Sequence, residues 1–411
     1  MRDRELYARI LGISAPWHVS DVVLDLPNGK VEVIVEHRGE ARCPQCGKSC
    51  PGYDTRRRHW RHLDTCQLQT YLVADVPRVE CAGHGVVQVT TPWSDPGSRF
   101  TSLLEAVVID WLKEASFSAV SRRLDLTWDE VDGIMARAVR RGLARRDDEA
   151  PRRIGLDETS FQKRHEYVTV VTDLDRRRVL AVLDGRTKEA VDAHFASVPA
   201  SFRASVEVVA MDMWRPYMDA AARWLPSARV CFDRFHVARH LGDAVNTVRK
   251  EEHRRLRSEG DRTLVGTKYL WLESPSRMTP ERHTLLSRLK DACRRTGRAW
   301  ALKEMASRLW GYRSLAWARK AWQAWVGLAA RSRLEPMVRA ARMVRTHLEG
   351  ILNAVVLRAT NAVAESMNAR IQRIKRMACG YRNRERFRNA ILFHLGGLDL
   401  YPEAASAHTG S

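Results

Sequence analysis

The sequence predicts a multidomain α/β protein, because the hydrophobic periodicity changes character along the 411 residues. A β-rich segment that carries most of the cysteines runs to about residue 92, and a helical pattern begins at residue 101. After residue 150, three strands, a helix, a strand, a helix and a strand indicate a mixed sheet with helices on its faces. From about residue 241 to residue 355 the pattern is almost entirely helical.

The charge of the chain indicates a polyanionic partner. Lys and Arg number 69 against 49 acidic residues, which gives a formal net charge of +20 in a chain with a globular content of apolar residues. No apolar run approaches the roughly 18 residues that a membrane span needs, and the opening residues lack the apolar core of a secretory signal. We therefore expect a cytoplasmic, nucleoid-associated bacterial protein with no membrane partner, whose clustered cysteines bind metal.

Two paired Cys and His motifs stand in the N-terminal segment. Residues 22–37 are two alternating runs joined by Pro-Asn-Gly-Lys, which predicts a β-hairpin. Cys43-x-x-Cys46 and Cys81-x-x-His84 follow, and such half-sites are typical of structural zinc sites. Because 35 positions separate Cys46 from Cys81, we expect a β insertion between the motifs. Rival ligands remain at Cys50, His59, His62 and Cys66.

The helical segment has the layout of a helix-turn-helix. Ser118 can begin one helix, residues 124–126 can form the turn, and Thr127 with Glu130 predicts a capping box at the start of the next helix. An ordinary helical hairpin in a core would share this pattern. The basic residues that follow favour DNA contact, and they are Arg137, Arg140, Arg141, Arg145 and Arg146.

Three carboxylates stand at or beside the ends of regular elements. Asp157 ends the first strand of the β-rich part, Asp212 follows a later apolar run, and Glu365 lies on a helix beyond the long helical stretch. Hard divalent cations prefer oxygen ligands, and two such ions can support phosphoryl displacement. Asp212 could instead cap the helix that begins near Pro216. Competing acids are Glu158, Asp173, Asp175 and Glu385.

Six segments carry a family resemblance over about residues 40 to 395: "CPQCG", "CAGH", "IGLDETSF", "AMDMWRPY", "FDRFHVARH" and "NAVAESMNARIQRIKRMACGYRNRERFR". They resemble the DDE insertion-sequence transposases of the ISL-three type. The resemblance implies a ribonuclease-H-like catalytic core in which Asp157, Asp212 and Glu365 bind two Mg²⁺ ions, for which Mn²⁺ can substitute. It implies that an all-helical insertion interrupts this core, and the 153 positions between Asp212 and Glu365 fit that expectation. It favours one structural zinc held by Cys43, Cys46, Cys81 and His84.

Further residues have expected roles. Asp233-x-x-His236 resembles the (C/D)xxH signature of transposases with such insertions, in which the His lies near the scissile phosphate or a flanking flipped base; a His satisfied within the fold is the alternative. Asn368 shares a helix face with Glu365 and could contact DNA or steady a metal-bound water. The expected contacts to the DNA backbone are Arg56, Arg57 and Arg58 on a basic loop at residues 55–64, Arg137, Arg140 and Arg141, and Lys375, Arg376 and Arg382 near Tyr381.

The expected order of domains is a β-rich zinc-binding domain at 1–95, a helix-turn-helix domain at 98–147, a first core part at 150–240, a helical insertion at 241–355, a second core part at 356–402 and a tail at 403–411. We expect a transposase that binds the terminal inverted repeats of an insertion sequence as double-stranded DNA. It would act at least as a homodimer and catalyse metal-dependent cleavage and strand transfer into target DNA. The alternatives are a DNA-binding regulator or domesticated transposase without catalysis, and a nuclease of the same fold.

Overall fold

The computed structural model describes residues 3–146, 150–162, 166–357 and 362–403, except for the side chains at 362, 364 and 365. The chain divides into two compact units. The first combines the residues up to 146 with those from 397 onward, and the second contains the residues between them. No helix among the described residues is long and apolar enough to cross a membrane.

The first unit is built around a five-stranded sheet with the strand order β1-β2-β4-β3, in which β5 pairs with β4. The predicted hairpin is confirmed, because β1 and β2 pair antiparallel around the turn at 26–29. Strand β2 runs parallel to β4, and Trp60 and Val33 are buried in the core beneath the sheet. The elements are α1 (Asp3–Ile10), β1 (Trp17–Asp25), β2 (Lys30–His37), β3 (Gly52–Arg61), β4 (Gln69–Cys81) and β5 (Gly85–Gln88).

Three helices follow the sheet, namely α2 (Ser102–Glu114), α3 (Phe117–Leu124) and α4 (Trp128–Arg145). The predicted capping box is confirmed, since Thr127 and Glu130 bond each other's backbone at the start of α4. The first helix of the motif starts earlier than predicted, because Ser116 rather than Ser118 is its N-cap. Asp125 ends α3 in the left-handed conformation and turns the chain into α4.

The C-terminal segment of residues 397–403 returns to this first unit. Leu400 is buried, and its carbonyl oxygen accepts a bond of 3.0 Å from Arg141 on α4. Arg145 pairs with Asp399 at 3.0 Å. Residues 397–402 were predicted to belong to the second core part, and that assignment is wrong because these contacts lie within the first unit.

The second unit contains a mixed five-stranded sheet with the order β10-β9-β6-β7-β8. Strands β6, β7 and β8 pair antiparallel, whereas β9 and β10 run parallel to β6. The predicted order of elements is confirmed, with one additional short helix, α6. The elements are β6 (Arg153–Gln162), β7 (Glu166–Asp173), β8 (Arg178–Asp184), α5 (Lys188–Ser197), α6 (Ala200–Ser205), β9 (Val208–Met211), α7 (Arg215–Trp224) and β10 (Arg229–Phe232).

A helical stretch follows β10. Its members are α8 (Arg234–Ser258), α9 (Lys268–Leu272), a 3₁₀ turn (Pro275–Arg277), α10 (Pro280–Ala292), α11 (Arg294–Leu309), α12 (Leu315–Ala330), α13 (Glu335–Thr346) and α14 (Leu348–Leu357). Helix α8 is continuous across the predicted boundary at residue 241, and α14 packs on the sheet. Asn353 donates to the carbonyl of Val230 at 2.9 Å, and a Cβ at Gly350 would collide with the ring of Phe232. The first and last helices thus join the helical stretch to the sheet.

The tryptophans of this stretch mostly pack inside it. Trp271, Trp322 and Trp325 are fully buried, whereas Trp317 is 61% exposed. Core packing therefore accounts for the buried rings. Two helices complete the unit, α15 (Ala362–Met377) and α16 (Arg384–Leu395).

Gly142 on α4 tests the return of the C-terminal segment. A Cβ added there would lie 2.7 Å from the Cβ of Leu398 and 3.0 Å from the carbonyl oxygen of Asp399, so Gly142→Ala should destabilise the first unit by about 1–3 kcal/mol. Gly133→Ala on the same helix is the matched control. Its Cβ would meet only the Arg137 side chain at 3.6 Å, so it should stabilise the unit by up to about 1 kcal/mol. Thermal unfolding measures both, and equal effects would contradict the packing described.

Candidate active site and metal centre

Three aspartates stand side by side where the parallel pairing of β6, β9 and β10 stops. Strands β9 and β10 end there, whereas β6 continues to Gln162, so the prediction that Asp157 ends its strand is wrong. Leu156 on β6 pairs with Met211 on β9, and Met211 pairs with Phe232 on β10. The residue after each of these is an aspartate: Asp157, Asp212 and Asp233 respectively. The carboxyl ends of parallel strands are where α/β sheets collect functional groups. The structure therefore brings Asp157 and Asp212, which 55 positions of sequence separate, to one edge of the sheet.

Asp233 has a different task from its neighbours. It is buried, its backbone N–H donates to the carbonyl of Met211 at 3.1 Å, and its Oδ1 caps α8 by accepting from Phe235 N at 3.1 Å. Its Oδ2 lies 3.8 Å from Nε2 of His236. Asp233 therefore fixes the first turn of α8, which places the half-buried His236 beside the two other acids.

Burial and like charge shape the electrostatics of the pair. Burial raises the pKa of Asp157 to about 6, the charges of Asp212 and Asp233 add to this, and the charge of His236 opposes it. Burial, followed by the charge of Glu158, likewise raises the pKa of Asp212. Two carboxylates that repel one another in a half-buried place favour a bound cation, and their oxygen donors suit a hard divalent ion.

Helix α15 lies along β6 and reaches the same point. Asn368 donates from Nδ2 to Oδ2 of Asp157 at 2.8 Å, Gln372 donates to Oγ1 of Thr159 at 2.8 Å, and Lys375 donates to the carbonyl of Ser160 at 2.9 Å. The spacing of these three residues defines one face of the helix. Position 365 lies one turn before Asn368 on that face, although the Glu365 side chain is outside the described residues.

Arg186, two aromatic rings and Glu158 form a cluster beside Asp212 that the sequence did not predict; we call it the Arg186 cluster. The Arg186 guanidinium lies 4.4 Å from the ring centroid of Tyr167 and 4.9 Å from that of Trp214, and it pairs with Glu158 at 3.1 Å. The backbone N–H of Trp214 donates to Oδ1 of Asp212 at 3.1 Å. Glu158 is thus engaged by Arg186, and the cluster holds the turn that carries Asp212.

Asp173 and Asp175 lie away from this edge, and Glu385 lies on a different helix from Glu365. Asp173 is fully buried and pairs with Arg176 and Arg178, and its residue faces Ile154 at the opposite end of β6. Asp175 pairs with Arg153. Glu385 lies in the first turn of α16, where its N–H is capped by Asn383. Asp173 and Asp175 therefore form ion pairs within the fold, and Glu385 belongs to the start of a helix.

The metal-ligand geometry of the first unit is specific. The Sγ atoms of Cys43, Cys46 and Cys81 and a ring nitrogen of His84 all lie within 4.8 Å of one another. Cys46 and Cys81 sulfurs are 3.7 Å apart, and the sulfurs of Cys43 and Cys81 are each 3.5 Å from Nδ1 of His84. Zn–S bonds of about 2.3 Å and Zn–N bonds of about 2.0–2.1 Å in a tetrahedron give edges of about 3.8 and 3.5 Å. The four side chains therefore fit one zinc ion.

The surroundings of Cys81 favour the thiolate form that binds a cation. The backbone N–H of Gly83 and the His84 side chain lower the pKa of the Cys81 thiol to about 6, which favours the thiolate that zinc requires. The rival ligands lie outside the four-residue cluster, although Cys50 borders it and its thiol is near that of Cys81. Cys50 donates to the carbonyl of Lys48, buried His62 contacts Oγ1 of Thr101, and His59 and Cys66 are exposed.

Two of the arginines predicted to contact DNA instead pair with a buried acid. Glu105 is 1% exposed, and it pairs with Arg137 at 2.7 Å and with Arg141 at 3.4 Å. The side chain of Arg141 is only 10% exposed. The same buried acid thus holds Arg137 and Arg141, and their contact with DNA stays a prediction. Arg140 on the same helix is exposed.

The basic segment at residues 55–64 is also not a loop. Its first seven residues belong to β3, which pairs antiparallel with β4 at the edge of the sheet. Arg57 pairs with Asp75, and Arg58 lies over the ring of Trp60, whereas Arg56 is exposed. Near the end of α15, Arg376 and Arg382 are exposed as well.

Metal removal tests the Cys and His cluster. Purified protein should contain about one zinc per chain, and Cys81→Ser should lose it because a closed structural site needs all four ligands. The first unit should then melt at a lower temperature, since the metal joins two distant segments. Cys66→Ser, an exposed cysteine outside the cluster, is the matched control and should retain the metal. Wild-type protein without bound zinc would contradict the assignment.

Thermal unfolding at two pH values tests the buried charge at Asp157. An acid whose folded pKa is raised to about 6 destabilises the fold as the pH rises through that value. In protein that keeps its zinc but has no Mg²⁺ or Mn²⁺, Asp157→Asn should therefore raise the free energy of unfolding at pH 8 by about 1–3 kcal/mol. This gain should shrink at pH 5. Asp219→Asn on α7, an exposed acid, should have little effect at either pH. A loss of stability in Asp157→Asn at pH 8 would contradict this assignment.

Comparison with known families gives matches to three parts of the chain. A family model of the ISL3 DDE type, described as a transposase, matches residues 154–391. A helix-turn-helix domain of transposase family ISL3 matches residues 89–139. The zinc finger of transposases IS204, IS1001, IS1096 and IS1165 matches residues 39–84, which contain all four clustered ligands.

Whole proteins give the same result. The transposase for insertion sequence element IS1557 of Mycobacterium tuberculosis is 27% identical over 93% of each chain. The transposase for insertion sequence element IS1001 of Bordetella parapertussis is 28% identical over 84% of this chain and 86% of its own. Together with the family model, which covers more than half of the sequence and contains the aspartate edge, these matches show that the chain belongs to the ISL3 family of DDE transposases.

Proposed function

We propose that this chain binds the terminal inverted repeats of its insertion sequence and catalyses DNA cleavage and strand transfer at Asp157, Asp212 and Glu365. The bond of 2.8 Å from Asn368 to Asp157 carries the proposal. It anchors the face of α15 that bears position 365 beside Asp157, at the point where the pairing of β6 with β9 stops. Glu385, the competitor for the third position, lies on α16 instead.

The order of the strands supports a ribonuclease-H-like core. Three antiparallel strands, two parallel strands on the other side of β6, and a helix lying along β6 make up the arrangement. In this proposal the helices from α8 to α14, close to the predicted range of 241–355, form an insertion between β10 and α15. The first and last of them are shared with the core.

The donor set suits Mg²⁺ or Mn²⁺. Asp157 and Asp212 would hold two ions together with Glu365, because only carboxylates supply enough negative charge for two dications beside a phosphate. When bound, the ions activate the attacking water or 3′-hydroxyl and stabilise the leaving oxygen. The chain itself contributes position, because Asn368 fixes the Asp157 carboxylate and the Arg186 cluster fixes the Asp212 turn.

His236 supplies a hydrogen-bond donor near the pair. Asp233 holds its ring at the start of α8, and its charge acts on both Asp157 and Asp212. A His in this place can donate a hydrogen bond to an oxygen of the scissile phosphate. We therefore propose that His236 donates a hydrogen bond to the scissile phosphate.

DNA recognition falls to the first unit and to exposed cations of the second. The zinc segment and the helix-turn-helix would contact the terminal repeats, with Arg56 and Arg140 as exposed cations on them. Arg376 and Arg382 would contact the backbone near the catalytic acids. At least a dimer is expected on DNA, because two element ends must be held together.

Plasmid nicking distinguishes this enzyme from a non-catalytic DNA-binding regulator. With Mg²⁺ and a plasmid that carries an element end, Asp212→Asn should abolish nicking while DNA binding persists, because the fold and the cationic surfaces are retained. Asp219→Asn, an acid 40% exposed on α7 that pairs with Arg215, is the matched control and should nick normally.

A second matched pair tests the helix assignment. Glu365→Gln should abolish nicking, whereas Glu385→Gln on α16 should not, because only position 365 shares the face that bonds to β6. Nicking that survives Asp212→Asn or Glu365→Gln would refute the proposed centre. Binding without nicking in the wild-type protein would instead favour a regulator.

A further inference from the structure

A groove opens farther along the contact between β6 and α15. It has a volume of about 680 Å³ and is lined by Phe161, Gln162, Gln372, Lys375, Arg376 and Tyr381, among others. We call it the β6–α15 groove. Phe161 is four residues beyond Asp157 on one strand, which corresponds to about 13 Å. The groove therefore continues the line that begins at the catalytic edge.

The groove is positively charged. Lys375 donates to the carbonyl of Ser160 at 2.9 Å and has two further N–H donors, and Arg376 is exposed at the rim. The neighbouring acid Glu166 is paired with Arg384 at 3.2 Å. The remaining charge favours an anion, and a phosphate of the DNA backbone is the anion that this protein handles.

The size and the walls indicate more than a phosphate. A volume of about 680 Å³ lies within the roughly 300–1,000 Å³ of small-molecule pockets. The ring of Tyr381 packs against Phe387 at 5.1 Å, which steadies an aromatic wall. Such a wall can stack a nucleobase.

Two amides in the groove are fixed by bonds to the protein. Gln372 donates from Nε2 to Thr159 at 2.8 Å, and Gln162 donates from Nε2 to the carbonyl of Tyr381 at 3.1 Å. Each amide retains a second N–H and its carbonyl oxygen within the part of the chain that the structure describes. A donor and an acceptor on one amide match the polar edge of a base.

We propose that the β6–α15 groove binds one unpaired nucleotide of the DNA strand that is cleaved, with its phosphate at Lys375 and Arg376 and its base against Tyr381. The inference rests on the proposed function, since the strand is the one whose phosphate lies at Asp157 and Asp212. At the spacing of about 3.4 Å between stacked nucleotides, the bound nucleotide lies no more than about four positions from the cleaved bond.

Cys379 provides the test, because it is an exposed thiol in the lining of the groove. The protein is the Asp212→Asn chain. The substrate is element-end DNA that carries a disulfide-activated tether on one nucleotide. A series of such substrates moves the tether one nucleotide at a time across the cleavage site. The cross-link should form at one or two adjacent nucleotides within about four of the bond. It should disappear in Cys379→Ser and persist in Cys66→Ser, an exposed cysteine in the first unit.

Two further readouts separate the outcomes. A 2-aminopurine at the cross-linked position should change its fluorescence on binding, and Tyr381→Ala should alter that signal. Arg376→Gln should lower the slope of log affinity against log salt by about 1. Arg373 is exposed elsewhere on α15, and Arg373→Gln should leave the cross-link unchanged.

Cross-linking with equal yield at every position, or none while DNA remains bound, would overturn the groove assignment. So would a 2-aminopurine signal that stays that of paired DNA. Failure of the same chain to bind element-end DNA at all would instead remove the proposed function, so the two failures are distinguishable.

Discussion

The hydrogen bond between Asn368 and Asp157 connects residues 211 positions apart, and the proposed active site depends on it. The same amide lies 3.5 Å from the carbonyl oxygen of Glu158, so Asn368 joins helix α15 to two neighbouring residues of β6. The helix then follows β6 through Gln372 and Lys375. One helix–strand contact thus sets both the place of the third acid and the shape of the adjacent groove.

Stability and chemistry conflict at this edge. Asp157 within β6 and Asp212 and Asp233 after β9 and β10 stand side by side, and burial raises the pKa of the first two above their usual range. A fold selected for stability alone would not place acids side by side there. Asp233 is accommodated as a helix cap, whereas Asp157 and Asp212 remain half-buried beside His236. Such a cost is typical of a functional site.

The sequence predicted what local patterns encode. Apolar runs predicted β6, β9 and β10, the Thr127–Glu130 spacing predicted the capping box, and paired Cys and His motifs predicted a zinc cluster. Contacts between residues distant in the sequence could not be predicted from these patterns. An arginine on a helix surface looks the same whether it meets DNA or a buried acid 32 positions away, as Arg137 meets Glu105. The Arg186 cluster and the return of residues 397–403 also depend on contacts that no local periodicity records.

The central claim is that three distant carboxylates share one ion-binding place. A crystal structure of the chain with element-end DNA and Mn²⁺, analysed by the anomalous scattering of manganese, tests this most directly. The account predicts manganese coordinated by carboxylate oxygens of Asp157, Asp212 and Glu365 beside a phosphate of the DNA. Manganese held without Glu365, or bound at Glu158 or Asp173 instead, would contradict it.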